Sequence, residues 1–449
     1  TQMSASVSDQ RSTSPLQAPR RWAWVPLVFL LAILGLPLAS HYLPREQARW
    51  TEAQAVEAQL NGQLTEATRL LESAVERAPE DRELKLRLAE FYQEAGEPQA
   101  AVELCDDLLK LNQQRSPSAL FGAERFLSRL YICKLYSELQ LGNGPVALDF
   151  AKRREELSPH PRQTLEGLNS LAYIRAVSGL ELDQAEWCIG EILKRFQRLP
   201  DRALSRPTNL AVQTLTAGAL LSRRFQKQGE FLPLVTANLL RLEELEREFQ
   251  SNLLTSATSE LQQLPGLQLP GEEFAIDARV YLARVRQDRA GLLLLRALLL
   301  DDLGNTSESL VDRRAAQALG CEESRWLEEL ESDVDALQFA ETGSNLLDTE
   351  AYVRFRASSN AAQRQRALEL LDVAIATDEM VLLGWRSDLP NQIQLNQDLR
   401  TWQRSVARGL AVKLRHRREL LDALQIPDQA TRDAARIREL GYEREEILY

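Results

Sequence analysis

Six positions in this chain repeat at one interval. Ala55, Ala58, Gly62, Ala67, Leu71 and Ala74 are each followed, 34 residues later, by Ala89, Tyr92, Gly96, Ala101, Cys105 and Leu108. A period of that length marks a stacked supersecondary unit. The residue types say what the unit is. Glycine takes a left-handed backbone at little cost, so Gly62 and Gly96 each end a helix of about three to four turns. Pro98 has no N–H and suits the turn or the first turn of the next helix. Small residues at Ala55 and Ala67, and at Ala89 and Ala101, let two antiparallel helices approach closely. Leu70, Leu71 and Ala74 form an apolar stripe at helical spacing. Pro79, with Glu80 and Asp81, ends one unit and opens the next.

The rest of the composition agrees with an all-α chain. Of 449 residues, 44% are hydrophobic and only 6% aromatic, and strong helix formers dominate. The net charge of −11 argues against general nucleic-acid binding, which needs clustered Lys and Arg. Cys105, Cys133, Cys188 and Cys321 form no C-x-x-C, and His41, His160 and His416 are isolated. Buried thiols are therefore expected, with no disulfide framework and no metal site.

The paired units resemble the tetratricopeptide repeat, a 34-residue helix–turn–helix. Leu88, Ala89 and Tyr92 fit the first-helix motif with Ala for Gly; Ala101 and Cys105 fit A-x3-F with Cys for Phe. Ala67, Leu71 and Pro79 fit the same motif and the closing Pro. Thr51 and Lys85 stand where the family has Trp. Looser units are expected around Gly142, Ala147 and Pro159, and around Leu171, Ala172, Gly179 and Ala185, the latter similar to a bacterial variant. Others are expected around Ala297, Gly304, Ser309 and Ala316, and around Ala351, Ala367, Leu371 and Ala374. A closing helical pair runs from Ala411 to Gly441. The resemblance is strong at residues 48–115 and covers about two thirds of Trp50 to Gly441; a bacterial source is expected from it.

One segment stands apart. From Trp22 to Leu43 there is no Asp, Glu, Lys or Arg. As a helix it would span about 33 Å, at about 1.5 Å per residue, enough for a bilayer core. Trp22, Trp24 and Tyr42 sit at its ends, where aromatic rings suit the interface. A cleaved signal peptide is the competing reading, with Ala39 and Ser40 as small residues; the length of the run favours an uncleaved anchor. Arg20 and Arg21 abut it, which places the N-terminus in the cytoplasm and the repeats outside, in the periplasm if the source is bacterial. The expected organisation is a disordered tail at 1–19, an anchor at 20–45, an N-terminal repeat lobe at 46–264, a hinge at 265–273 carrying Pro-Gly pairs, and a C-terminal repeat lobe at 274–449. The stripe Leu239, Leu242, Leu245, Phe249 and Leu253 is expected to face the core.

Catalytic motifs are missing: there is no G-x-S-x-G, no P-loop, no H-E-x-x-H and no G-x-G-x-x-G. No cofactor, metal ligand or catalytic residue is assigned. The resemblance implies that function lies on the surface lined by the first helix of each unit. There Glu83, Leu86, Glu90, Gln93 and Glu94 are the candidates in the second unit, and Leu294, Leu298, Asp301 and Asp302 in a later one. These would make an acidic, partly apolar face for a basic or amphipathic segment; ordinary exposed charge is the plainer reading. The carboxylate clamp of some family members is not supported, since Glu52, Val56, Leu86 and Glu90 are neither Lys nor Asn. The expected function is a membrane-anchored, non-enzymatic scaffold for an unidentified protein partner. The alternatives are a hydrolase-like site in the cleft between the lobes and an oligomerising membrane protein.

Overall fold

The structure, a computed structural model, describes residues 25–113, 123–157, 165–197, 210–255, 278–324, 326, 336–388 and 397–442. The expected tail and hinge lie outside them. The described residues hold sixteen helices and no strand. They are α1 (Val25–Leu60), α2 (Leu64–Arg77), α3 (Arg82–Ala95), α4 (Pro98–Gln113), α5 (Ala123–Gln140), α6 (Gly144–Glu156), α7 (Leu165–Ser178) and α8 (Leu182–Gln197). There follow α9 (Leu210–Arg224), α10 (Gln228–Thr255), α11 (Ala278–Asp302), α12 (Thr306–Ala318), α13 (Ala336–Ala357), α14 (Ala361–Asp388), α15 (Gln397–Ala423) and α16 (Pro427–Glu439).

The helices pair into hairpins, and one turn geometry joins most of them. At Gly96 the backbone is left-handed, with φ +78°. Its N–H donates to the Gln93 carbonyl, and the next N–H, of Glu97, reaches back to Tyr92 at 2.8 Å. This closes the carbonyls at the end of α3 and reverses the chain so that Pro98 starts α4. The same two bonds recur at Gly62, Gly142, Gly179 and Gly304. They recur again at Gln226, φ +56°, between α9 and α10, and at Gln425, φ +60°, between α15 and α16. The α13–α14 turn differs: Asn360 Oδ1 accepts from the Ala362 N–H at 2.8 Å.

The small residues of the repeat are the contacts within these hairpins. Ala55, Ala67, Ala89, Ala101, Ala147, Ala172, Ala185, Ala297, Ala316, Ala351 and Ala367 all have zero exposure. The α9–α10 hairpin inverts this choice. A Cβ at Gly218 would stand 2.7 Å from the Phe231 ring, so glycine on one helix makes room for a phenylalanine on the other. Cys105, Cys133 and Cys188 are buried. The Cys133 thiol is hydrogen-bonded to Cys105, and that bond and burial hold its pKa well above the ordinary thiol value.

Two kinds of core result. Helices α1 to α6 are held by three small clusters in succession. From Leu168 to Ile437 the buried residues form one continuous cluster. It passes across the expected hinge, and α10 and α11 on either side pack on each other. Helix α9 packs on both α13 and α14, and α13 on both α7 and α8. Leu239 and Leu242 are buried in this core, as the stripe implied. Among the described residues no helix is long and apolar enough to cross a membrane.

Candidate functional site

The structure separates the residues expected to form an acidic face. Leu86 has zero exposure and packs with Ala89, Cys105, Leu108 and Leu130. It is a core residue and presents nothing to a partner. The reason is the approach of α5, which covers that side of α3. Gln93 is buried too. Glu83 and Glu90 both accept from Arg129 on α5: Nη1 lies 2.9 Å from Glu83 Oε2, and Nη2 lies 2.8 Å from Glu90 Oε2. Asp302 takes a two-point contact from Arg223, at 2.6 and 3.1 Å. Asp301 accepts from Arg313 Nη1 at 2.5 Å; hydrogen bonding by Ser309 and then by Arg313 keeps its carboxyl below the ordinary range. Asp301 and Asp302 are thus ties between helices, as are Glu83 and Glu90. Leu294 and Leu298 are buried.

Glu94 leads elsewhere. It accepts from Gln59 Nε2 at 2.7 Å, and Arg404 and Arg408 of α15 lie 3.8 and 3.6 Å from its carboxylate. Along α15 the contacts proceed in order. Arg400 donates to both oxygens of Glu57 on α1, at 2.8 and 2.9 Å, and to Asn61 Oδ1 at 2.9 Å. Arg404 and Arg408 meet Glu94 on α3. His416 Nε2 lies 3.5 Å from the Tyr173 hydroxyl of α7. The first helices of three hairpins, α1, α3 and α7, therefore each meet a side chain of α15. Arg400, Arg404 and Arg408, one turn apart, form the stripe that meets α1 and α3. Of the residues expected to receive a basic segment, Glu94 alone meets one, and that segment belongs to its own chain.

Beyond Arg408, α15 enters the core and carries polar groups with it. Lys413 is 1% exposed. Its Nζ lies 2.8 Å from Asp378 Oδ2 and donates to Asn345 Oδ1 at 2.6 Å, while the Ser344 hydroxyl donates to Asp378 Oδ1. Burial pushes the Asp378 carboxyl up, and Lys413 and Ser344 pull against it. One turn on, His416 Nδ1 stands 2.8 Å from Asp348 Oδ1, with its ring stacked on Tyr352 at 4.0 Å. Tyr352 donates to Glu419 at 2.8 Å.

These are the groups a hydrolase in the lobe junction would need, and their setting opposes that use. Ser344 is fully buried and its proton is committed to Asp378; Lys413 Nζ is engaged by the same carboxylate. A nucleophile needs a free base and a path for substrate. This arrangement does what buried ion pairs do when every member is satisfied, which is to fix how α13, α14 and α15 meet. The sequence shows Lys413 and His416 inside a basic run. Their spacing from Leu410 and Leu420 puts both on the buried face, a signal the charge of the run conceals. Among the described residues no cluster of His, Cys, Asp and Glu is suited to a metal.

Between α5, α6, α7 and α13 there is a cavity of about 320 Å³. Ile132, Leu135, Ile174 and Leu346 line one part, and Arg154, Asn169 and Asn345 another.

Comparison with known proteins gives three findings. No curated protein matches the chain. A chain from the solved structure of Naa15/Naa10 bound to HypK-THB is similar at 12% identity and a TM-score of 0.24; the match covers 89% of this chain and 64% of that one. This protein thus spans less than two thirds of that chain's length. Residues 58–120, from the end of α1 through α4, match the tetratricopeptide repeat family.

Proposed function

We propose that the protein is a membrane-tethered helical scaffold that holds a protein partner and carries out no catalysis of its own. The observation that carries this reading is the ordered engagement of α1, α3 and α7 by α15. A face that seats an arginine-bearing helix in cis has the chemistry to seat one in trans, by charge pairing and surface area. The tetratricopeptide match at residues 58–120 supports an interaction role. The membrane link rests on the apolar run Trp22–Leu43, which begins outside the described residues. The backbone of α1 runs as one helix from Val25 into the first hairpin. On that helix Leu43 and Trp50, seven residues apart and so on one side, are 55% and 66% exposed; an exposed Trp just beyond an apolar run suits an interfacial position. The N-terminus lies in the cytoplasm in this reading, and the hairpins lie on the other side.

Photo-crosslinking of the full chain in native membranes tests the proposal, with the probe at exposed Glu83 or Asn61. A discrete adduct with a second protein is expected, and its yield should rise when Arg400, Arg404 and Arg408 are changed to Glu. No adduct from either variant or the parent contradicts it. A compartment-sensitive reporter fused to the C-terminus tests the orientation; a cytoplasmic signal contradicts that part alone.

A further inference from the structure

The cavity between α5, α6, α7 and α13 has an arginine in its wall. Arg77 of α2 meets the Thr51 hydroxyl, while Arg129, Arg223, Arg296, Arg313 and Arg417 are met by carboxylates. Arg154, in the cavity wall, is not. Among the described residues its guanidinium donates to two hydroxyls, Ser170 Oγ at 3.0 Å and Ser128 Oγ at 3.4 Å. A cation held by neutral acceptors beside a half-open pocket keeps donors for an anion, and arginine in that setting favours a two-point carboxylate contact. Asn169, in the same wall, has a buried Oδ1 with no hydrogen-bond partner. An unsatisfied buried acceptor is costly, and a donor brought by an occupant would satisfy it. The lining also includes Ile132, Leu135, Ile174 and Leu346, a surface for a branched apolar group. The volume, about 320 Å³, is near the lower end of the roughly 300–1,000 Å³ of small-molecule sites.

We propose that this cavity binds a compact amphipathic acid. The carboxylate pairs with Arg154, an uncharged hydroxyl donates to Asn169 Oδ1, and a short branched apolar group fills the remaining space. A free amino acid fits less well, because among the described residues the lining holds no carboxylate to balance an ammonium. Helix α13 supplies Thr342, Asn345 and Leu346 to this wall, and Asn345 Oδ1 accepts from Lys413. An occupant would thus bridge the α5–α7 hairpins to the core that seats α15. The site is independent of the scaffold reading and stands or falls separately.

The test is calorimetric titration of the full chain with 2-hydroxy-4-methylpentanoate. Saturable one-to-one binding is expected. Its methyl ester, which lacks the charge, should bind at least tenfold more weakly, and 4-methylpentanoate, which lacks the hydroxyl, several-fold more weakly. Arg154→Gln should reduce affinity at least tenfold. Because Arg154 also holds Ser128 and Ser170, Asn169→Asp is the second variant: it gives the cavity its own carboxylate and should abolish binding while the helical melt is retained. No saturable binding to the parent protein, meaning a cavity filled by water alone, overturns the proposal. So does equal binding of acid and ester, or undiminished binding by a folded Asn169→Asp protein.

Discussion

The first six helices and the ten that follow are built from the same hairpin but held in different ways. In α1–α6 the buried residues fall into three clusters, the last of which reaches Tyr173 and Ile174 of α7. From α7 onward most of the others form one cluster, because α9, α13 and α14 return to pack on helices far away in the chain. The apolar contacts of the first arrangement are quasi-one-dimensional, and its long-range ties are the polar ones from α15 to Glu57 and Glu94. The second has the closure of a globular core. The same local geometry, down to the two hydrogen bonds at each turn, thus serves both. What decides between them is the outward face of each helix: Leu292, Leu293, Leu294 and Leu295 of α11 are all buried, so that stretch of the helix is enclosed on every side.

The largest effect expected is at the buried pair. Lys413→Met leaves Asp378 without its partner in the core, and chemical denaturation should show a loss of about 3–5 kcal/mol. Changing both, Lys413→Met with Asp378→Leu, should cost clearly less than the single change; equal or greater loss would show that the pair is not the source. Next come two truncations of like size. Leu71→Ala and Leu292→Ala each remove a side chain of zero exposure and should cost about 2–5 kcal/mol. Hydrogen exchange should separate them. Faster exchange is expected in α1–α4 alone for Leu71→Ala, and throughout α7–α16 for Leu292→Ala. Identical spreading from both sites would erase the distinction between the two regions.

Smaller effects belong to the turns and the surface. Gly96→Ala should lose about 1 kcal/mol, and Gln226→Gly and Gln425→Gly should each gain about as much, since only glycine takes φ near +60° to +80° without steric cost. A loss on introducing glycine would show that the glutamine side chains hold those turns. The smallest effect is on pH dependence. Burial raises the Glu246 carboxyl, but Arg286 and Arg289 outweigh it and leave its pKa below the ordinary 4.5. A folded-state pKa below the unfolded value contributes stability above pH 4.5 that is lost as pH falls through the folded value. Exchange in α10 and α11 should quicken in that range, and Glu246→Gln should flatten the response.

Much of the hairpin architecture was legible because its signals are local. Gly62, Gly96, Gly142, Gly179 and Gly304 mark turns, and the alanines at fixed offsets mark contacts. The α9–α10 hairpin escaped because Gln226 takes the glycine's place and Phe231 the small residue's. The ties of Glu83, Glu90, Asp301 and Asp302 were not legible, because Arg129, Arg223 and Arg313 reach them from other helices. Leu86 was misplaced for a related reason: periodicity puts it on a face but does not say that α5 will cover that face. The seat of α15 was least visible of all, since Arg400 and Glu57 are 343 positions apart.

The account turns on whether α15 occupies the inner face of the first hairpins in solution. Spin labels at Gln54 on α1 and Thr401 on α15, both exposed, measure this by pulsed electron resonance on the full chain. One narrow, short distance is expected, broadening when Arg400, Arg404 and Arg408 are changed to Glu. A broad or long distribution in the parent protein, unmoved by those changes, would contradict it.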